Sequence, residues 1–228
     1  MLLACCYCYV LLVIFLTEKL GNRLSQNSSR KFLHIMIGNL PFLIPFFSYN
    51  MFPANFPFFV AAPFIFITFL ASPYSPIKSI SRKMSGLTEV TEGGHRLGLV
   101  FYAISYTILA AAFSSKPYII AAGILPMAYG DAAASLVGEK LGKTKFKVFA
   151  KKSVEGSAAM FVVSFVSFAA SLFFFSVLYP LPLLNSVLAA LAVATLATAA
   201  EAITPRGFDN ITVPILSATL FLLLTGAL

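Results

Sequence analysis

Long apolar runs alternate with short polar clusters along the chain. The runs cover Leu2 to Thr17, Phe32 to Phe47, Phe56 to Ala71, Leu97 to Phe113, Tyr118 to Val137, Ser157 to Leu178, Leu183 to Ala200 and Ile211 to Leu228. Phe58 to Leu70 is apolar at nearly every position, unlike a barrel strand, which alternates in and out over about ten residues. A helix needs about 20 apolar residues to cross the hydrocarbon layer of a bilayer. The pattern predicts an all-α fold, a polytopic membrane helix bundle of about eight transmembrane helices. Several runs are at the lower limit of spanning length, so their helices are expected to extend into the flanking loops.

The polar clusters carry an orientation. Fifteen of the 16 Lys and Arg residues fall in the connections after the first, third, fifth and seventh runs, and only Lys116 falls on the other side. By the positive-inside rule the basic face is cytoplasmic and both termini are non-cytoplasmic. Residues 1–228 then form a single integral membrane domain with cytoplasmic loops at approximately 18–31, 72–96, 138–156 and 201–210. The acids follow the same pattern. Glu18, Glu89, Glu92, Glu139, Glu155 and Asp209 lie in or beside those loops, and Asp131 and Glu201 lie near the matching ends of the fifth and seventh runs.

Composition narrows the function classes. Apolar residues make up 59% of the 228 positions and charged residues 11%, with a mean hydropathy of +0.90, against roughly 25% charged residues in a soluble domain. No sizeable domain outside the bilayer fits. The net charge of +8 reads first as topology, and nucleic acid is excluded as a partner. Cys5, Cys6 and Cys8 cluster in the first run without CxxC spacing, so they read as small buried hydrophobes rather than a zinc or redox site. The N-terminus lacks a basic n-region and a cleavage site, so the first run is expected to be a retained span.

Asp131 is the sharpest chemical feature. It interrupts an apolar run in Tyr129-Gly130-Asp131-Ala132-Ala133-Ala134-Ser135, and a carboxylate at membrane depth marks a functional site by default. Gly138 to Lys145 follows, but only three residues separate Gly138 from Gly142-Lys143 and no strand precedes them, so it is not a P-loop. Its glycines can still turn backbone amides toward an anion, and six lysines within thirteen residues can neutralise a polyphosphate. Lys151-Lys152-Ser153-Val154-Glu155-Gly156 opens the sixth span with lysines, a helix N-terminus and a carboxylate, a combination that suits a metal-bound triphosphate. Glu201 to Asn210 joins the last two spans and adds Glu201, Asp209 and Asn210 to the same face. Arg30, Lys31 and His34 fall within one helical turn. Glu89 to Arg96 reads as a supporting loop.

These motifs together resemble the polyprenol kinase family, membrane enzymes that include dolichol kinase and phytol kinase and use CTP. The matching residues are Arg30-Lys31-x-x-His34, Gly130-Asp131 through Ser135 to Gly138 and Gly142-Lys143, Lys152-Ser153-x-Glu155-Gly156, then Glu201 with Gly207-x-Asp209-Asn210-x-x-x-Pro214. The resemblance implies transfer of a phosphoryl group from CTP, with Mg2+, to the hydroxyl of a membrane lipid alcohol of the polyprenol, dolichol, phytol or geranylgeraniol class. On that basis Asp131, Glu155 and Asp209 would hold magnesium or orient the hydroxyl. Lys143, Lys151 and Lys152 would hold phosphates, with Lys31, Ser135 and Ser153 beside the nucleotide. Arg30 and His34 would complete the pocket wall, Asn210 would bond the nucleotide or a metal-bound water, and Glu201 would hold a basic partner. The membrane would be the plasma membrane of a prokaryote or the endoplasmic reticulum or plastid membrane of a eukaryote, with membrane lipids as partners and a homo-oligomer left open.

Two alternatives stand beside this expectation. The related phosphatidate cytidylyltransferases share the Lys-Lys-(Ser/Thr)-x-Glu-Gly segment and would form a CDP-lipid, but their long C-terminal signature is absent from this sequence. A small non-enzymatic transporter with an intramembrane Asp is the other. Its expected inverted repeat and midplane charge are absent from the sequence.

Overall fold

In a computed structural model, which describes residues 2–21, 26–48, 56–79, 97–149, 151–205 and 207–226, the predicted apolar runs are helical. Helices α1 (Leu2–Gly21), α2 (Gln26–Ile37), α3 (Ala62–Ala71) and α4 (Gly98–Phe113) form the first half. Two 3-10 segments, Leu40–Phe46 after α2 and Pro57–Val60 before α3, complete the second and third runs. The second half comprises α5 (Pro117–Leu125), α6 (Asp131–Lys140), α7 (Val154–Leu178), α8 (Leu183–Ile203) and α9 (Asp209–Thr225). Glu89, Glu92, His95, Arg96 and Arg206 lie outside the described residues.

Among the described residues four stretches are long and apolar enough to cross a membrane: Leu2–Leu20, Pro117–Lys140, Val154–Leu178 and Leu183–Ile203. The others are shorter. The 16 residues of α4 reach about 24 Å at 1.5 Å per residue, against a hydrocarbon layer of about 30 Å.

The breaks in the helices have physical causes. Proline lacks the N–H that a helix interior needs; Pro41 and Pro45 hold the chain after α2 in the tighter 3-10 form. Pro126 sits in the middle of the fifth run, where Pro126–Gly130 forms a π-turn closed by the Asp131 N–H donating to the Pro126 carbonyl. That wider turn joins α5 to α6 and sets the direction in which Asp131 projects.

Small residues bring the second-half helices together. A Cβ on Gly123 would come within 2.6 Å of the Pro214 carbonyl oxygen on α9. A Cβ on Gly130 would collide with Ser164 on α7. The main core is built around fully buried Ile119, Ile120, Leu125, Met160, Phe168, Phe175 and Phe221, and a smaller cluster of Val13, Leu33, Ala71 and Leu99 joins the first-half helices.

Among the described residues one element departs from the helical pattern. The loop between α6 and α7 folds into a short antiparallel hairpin, β1 (Lys145–Lys147) with β2 (Lys151–Ser153), in register Lys145 to Ser153, Phe146 to Lys152 and Lys147 to Lys151. Because side chains alternate along a strand, Lys151 and Lys152 project to opposite faces of the hairpin.

Candidate active site

Four elements converge at one end of the bundle. The second half of α2 supplies Lys31 and His34, α6 begins with Asp131, α8 ends near Glu201 and α9 begins with Asp209 and Asn210. Lys31 forms an ion pair with Asp131, and Lys152 from β2 forms one with Glu201. Lys31 and Glu201 are only 4% and 3% exposed, so each charge depends on its partner for compensation. Asp209 is also buried and lies within electrostatic reach of Asp131, Glu201, Lys31 and Lys152. Arg30 and His34 act on Asp131 in the same way.

The start of α9 is held by a substitution of donors. Pro214 cannot donate to the Asn210 carbonyl one turn earlier, and Ser105 Oγ of α4 donates to that oxygen instead, at 2.9 Å. The spacing Asn210-x-x-x-Pro214 therefore frees a carbonyl that ties α9 to α4. Gly207, with φ of 90°, makes the left-handed turn into the helix that a side chain would disfavour. Asp209 Oδ1 accepts the Asn210 N–H at 3.0 Å. The Asn210 Oδ1 atom is buried and has no hydrogen-bond partner among the described residues.

A second cluster lies further along α6 and is built mainly from backbone. Gly138, Gly142 and Gly156 crowd around Ser153, whose Oγ accepts the Gly156 N–H at 3.1 Å and caps α7. A Cβ on Gly142 would come within 2.7 Å of that Oγ, and one on Gly156 within 2.8 Å of the Ala134 carbonyl. Lys145 Nζ donates to the Gly138 carbonyl at 2.8 Å. Glu155 accepts the Thr144 N–H at 3.1 Å. The contacts of Glu155 are thus with this loop, while Asp131, Glu201 and Asp209 make up the inner group.

Of the residues singled out from the sequence, Arg30, Lys31, His34, Asp131, Lys152, Glu201, Asp209 and Asn210 meet in the inner cluster. Ser153 and Glu155 belong to the glycine-lined loop. Lys143 and Lys151 are exposed on the loop and hairpin, and Ser135 is half-buried one turn after Asp131 on α6.

The chain is 30% identical to the phytol kinase of Synechocystis sp. over 211 residues, which is 90% of this chain and 84% of that protein. The chain belongs to the phytol kinase family. Within the family, phytol kinase 1, chloroplastic, of Arabidopsis thaliana is 31% identical over 91% of this chain and 69% of its own length. The probable phytol kinase, chloroplastic, of Triticum aestivum is 34% identical over 92% of this chain and 71% of its own. No family model matches the chain. No solved structure matches it either.

In this member of the phytol kinase family the inner cluster has aromatic supports that sequence spacing did not reveal. Tyr102 of α4 lies against His34 with ring centroids 4.9 Å apart, and its hydroxyl donates to the His34 carbonyl at 3.2 Å. Tyr129 donates to Asn39 Oδ1 at 2.7 Å, anchoring the π-turn to the end of α2. Tyr129 stands two residues before Asp131, which was a signal available in the sequence. Tyr102 had none, because its partner is distant in the chain. Chemically, the arrangement gathers carboxylates able to orient a hydroxyl or a hard cation, together with lysines able to neutralise phosphate.

Proposed function

We propose that this chain transfers the γ-phosphoryl group of CTP to the hydroxyl of a membrane lipid alcohol of the phytol or geranylgeraniol class, at the cytoplasmic interface. The observation that carries the reading is the buried meeting of Asp131, Glu201 and Asp209 with Lys31 and Lys152, in a chain whose relatives are phytol kinases. Phosphoryl transfer needs positioning and charge neutralisation more than covalent chemistry from the protein. A buried cluster of mixed charge, reached from a basic loop, supplies both.

Magnesium suits the residues present. It takes oxygen ligands, keeps several waters and often uses one or two carboxylates together with substrate phosphates. No group of three His, Cys, Asp or Glu suited to a metal occurs among the described residues, so a site of this kind would draw on fewer protein acids. Asp131 and Asp209 would hold the ion, and the unpartnered Asn210 Oδ1 adds a neutral oxygen beside them. When bound, it would offset the charge that develops on the phosphate oxygens.

The protein's own groups do the rest. Lys31 and Lys152, now paired with acids, can turn toward phosphate oxygens of the donor. Exposed Lys143, Lys147 and Lys151 draw the triphosphate to the face, and Glu155 holds the Thr144 turn in position. The alcohol oxygen attacks the γ-phosphorus as the bond to CDP breaks. Asp131 or Asp209 takes the hydroxyl proton, and Arg30 and His34 close the pocket wall.

The same reading has the chain cross the bilayer about eight times with both termini non-cytoplasmic, supported by the one-sided distribution of Lys and Arg. Reagents confined to one side of sealed vesicles test it: cysteines placed at Ser114 and Lys147 should label from opposite sides. The reaction is tested with CTP labelled at the α or the γ position, magnesium and a panel of phytol, geranylgeraniol, dolichol, diacylglycerol and phosphatidate. Label from the γ position in the lipid supports a kinase, whereas label from the α position supports the cytidylyltransferase alternative. ATP in place of CTP tests the donor.

A further inference from the structure

Between α1, α2, α3 and α4 lies a partly open cavity with almost entirely apolar walls, which encloses about 50 Å³ and opens into a mouth that brings the empty space to about 520 Å³. Val10 and Ile14 of α1, Leu33 and Ile37 of α2, Phe64 of α3 and Tyr106 of α4 line it. We propose that this cavity holds the hydrocarbon tail of the acceptor alcohol and presents its hydroxyl past Tyr102 and His34 to Asp131. The proposal rests on the lipid alcohol kinase reading and adds where the acceptor binds.

The cavity and the charged cluster share a wall. Tyr102 lines the cavity and also packs on His34, the neighbour of Asp131. Helix α2 joins the two compartments in the same way. At 100° per residue, Lys31 and His34 occupy one side of α2, and Leu33 and Ile37 occupy the adjoining side. A molecule with an apolar body and one polar end would therefore touch both sides of this helix at once. Along α4 the cavity extends from Leu99 to Tyr106, about 10 Å of helix rise, beside the level at which Tyr102 and Ser105 meet His34 and the Asn210 carbonyl.

The gap follows from the packing. It lies where the main core, through Val10, Tyr102 and Tyr106, meets the smaller cluster that includes Leu33 and Leu99. Ala61 and Ala103 keep the space open. Protein interiors rarely leave such room, because lining atoms lose contacts on their open side. Water gains nothing in an apolar cavity that offers it no partners. A hydrocarbon chain lying along the open side recovers those contacts.

Two measurements on the full chain in nanodiscs test the proposal. A prenyl alcohol carrying a diazirine in mid-tail is photolysed with the wild type and with Asp131→Asn, and the labelled peptides are mapped. We expect labels on α1 and α4, displaced by unlabelled phytol and not by phosphatidylcholine, in both proteins. Labels confined to outward-facing positions such as Phe66 and Val177, 72% and 83% exposed, or labels displaced by the phospholipid, overturn it.

The second measurement narrows the cavity with Ala103→Phe, or with Ala61→Leu should the first fail to fold. The KM for a diterpenoid alcohol should rise about 10-fold, in the range that pocket shape can discriminate. The KM for a short prenyl alcohol and the kcat should hold. Equal rises for both alcohols, or no rise for either, contradict the tail site. Cavity labelling without phosphoryl transfer would sink the kinase reading and leave the tail site standing, whereas transfer without cavity labelling would do the reverse.

Discussion

The inner cluster and the glycine-lined loop lie at two ends of α6 and are built on opposite plans. Around Asp131 the charges are buried or half-buried, two ion pairs join Lys31 to Asp131 and Lys152 to Glu201, and the helices that carry the acids are tied by Tyr102, Tyr129 and Ser105. Around Gly142 the lysines of the loop are exposed or half-buried, glycines pack closely around the buried Ser153, and Lys147 stands opposite Lys151 across the hairpin. Like charges directly opposed on a hairpin are destabilising, and on the proposed reading a bound polyphosphate would offset that repulsion. The inner cluster is thus held by paired side chains, and the loop by glycines packed around a helix cap.

Substitutions can break this contrast, beginning with the largest expected effect. Asp131→Asn should leave the protein folded in detergent, checked by size exclusion, and lower kcat by about 10³-fold, on the scale of removing a key electrostatic group from a site. Asp209→Asn should cost somewhat less, about 10²-fold, with a marked rise in the magnesium needed for half-maximal rate. Glu201→Ala should destabilise the fold by about 3 kcal/mol by leaving Lys152 without its partner. Adding Lys152→Met should recover much of that loss, as read from thermal unfolding of the two single variants and the double variant.

The loop should respond differently. Gly142→Ala forces a Cβ onto Ser153, and steady-state kinetics should show a higher KM for the nucleotide with kcat largely kept. Lys151→Gln should have the smallest effect, a KM change of about 2- to 3-fold that disappears at high salt, because an exposed charge is screened. A loss of kcat in the Lys151 variant as large as that of Asp131→Asn would erase the distinction between the two regions.

Much of the inner cluster was legible in the sequence. A carboxylate inside an apolar run is expensive enough to announce itself, as Asp131 does, and Glu201 and Asp209 were found in the short connection between the last two runs on the same face. What was hidden depended on local geometry and on distant partners. Pro126 was visible, but the π-turn it opens, and with it the direction of Asp131, was not. Lys151 and Lys152 read as one basic pair, yet the hairpin sends only Lys152 inward to Glu201. Gly138 and Gly142 read as amides turned to an anion, while the structure also requires their small size beside Ser153 and α7. Glu155 read as one of a set of acids and instead receives the Thr144 N–H. Tyr102 and the apolar cavity it borders had no local pattern, since they arise where helices far apart in the chain meet.

On the proposed reading, the Asp131 cluster moves a phosphoryl group onto a lipid hydroxyl. Purified protein in nanodiscs, given phytol, magnesium and CTP labelled at the γ position, tests it most directly. The account predicts label in a lipid monophosphate with the wild type and a loss of about 10³-fold with Asp131→Asn. Label reaching the lipid only from the α position, or a full rate in the Asp131 variant, would contradict it.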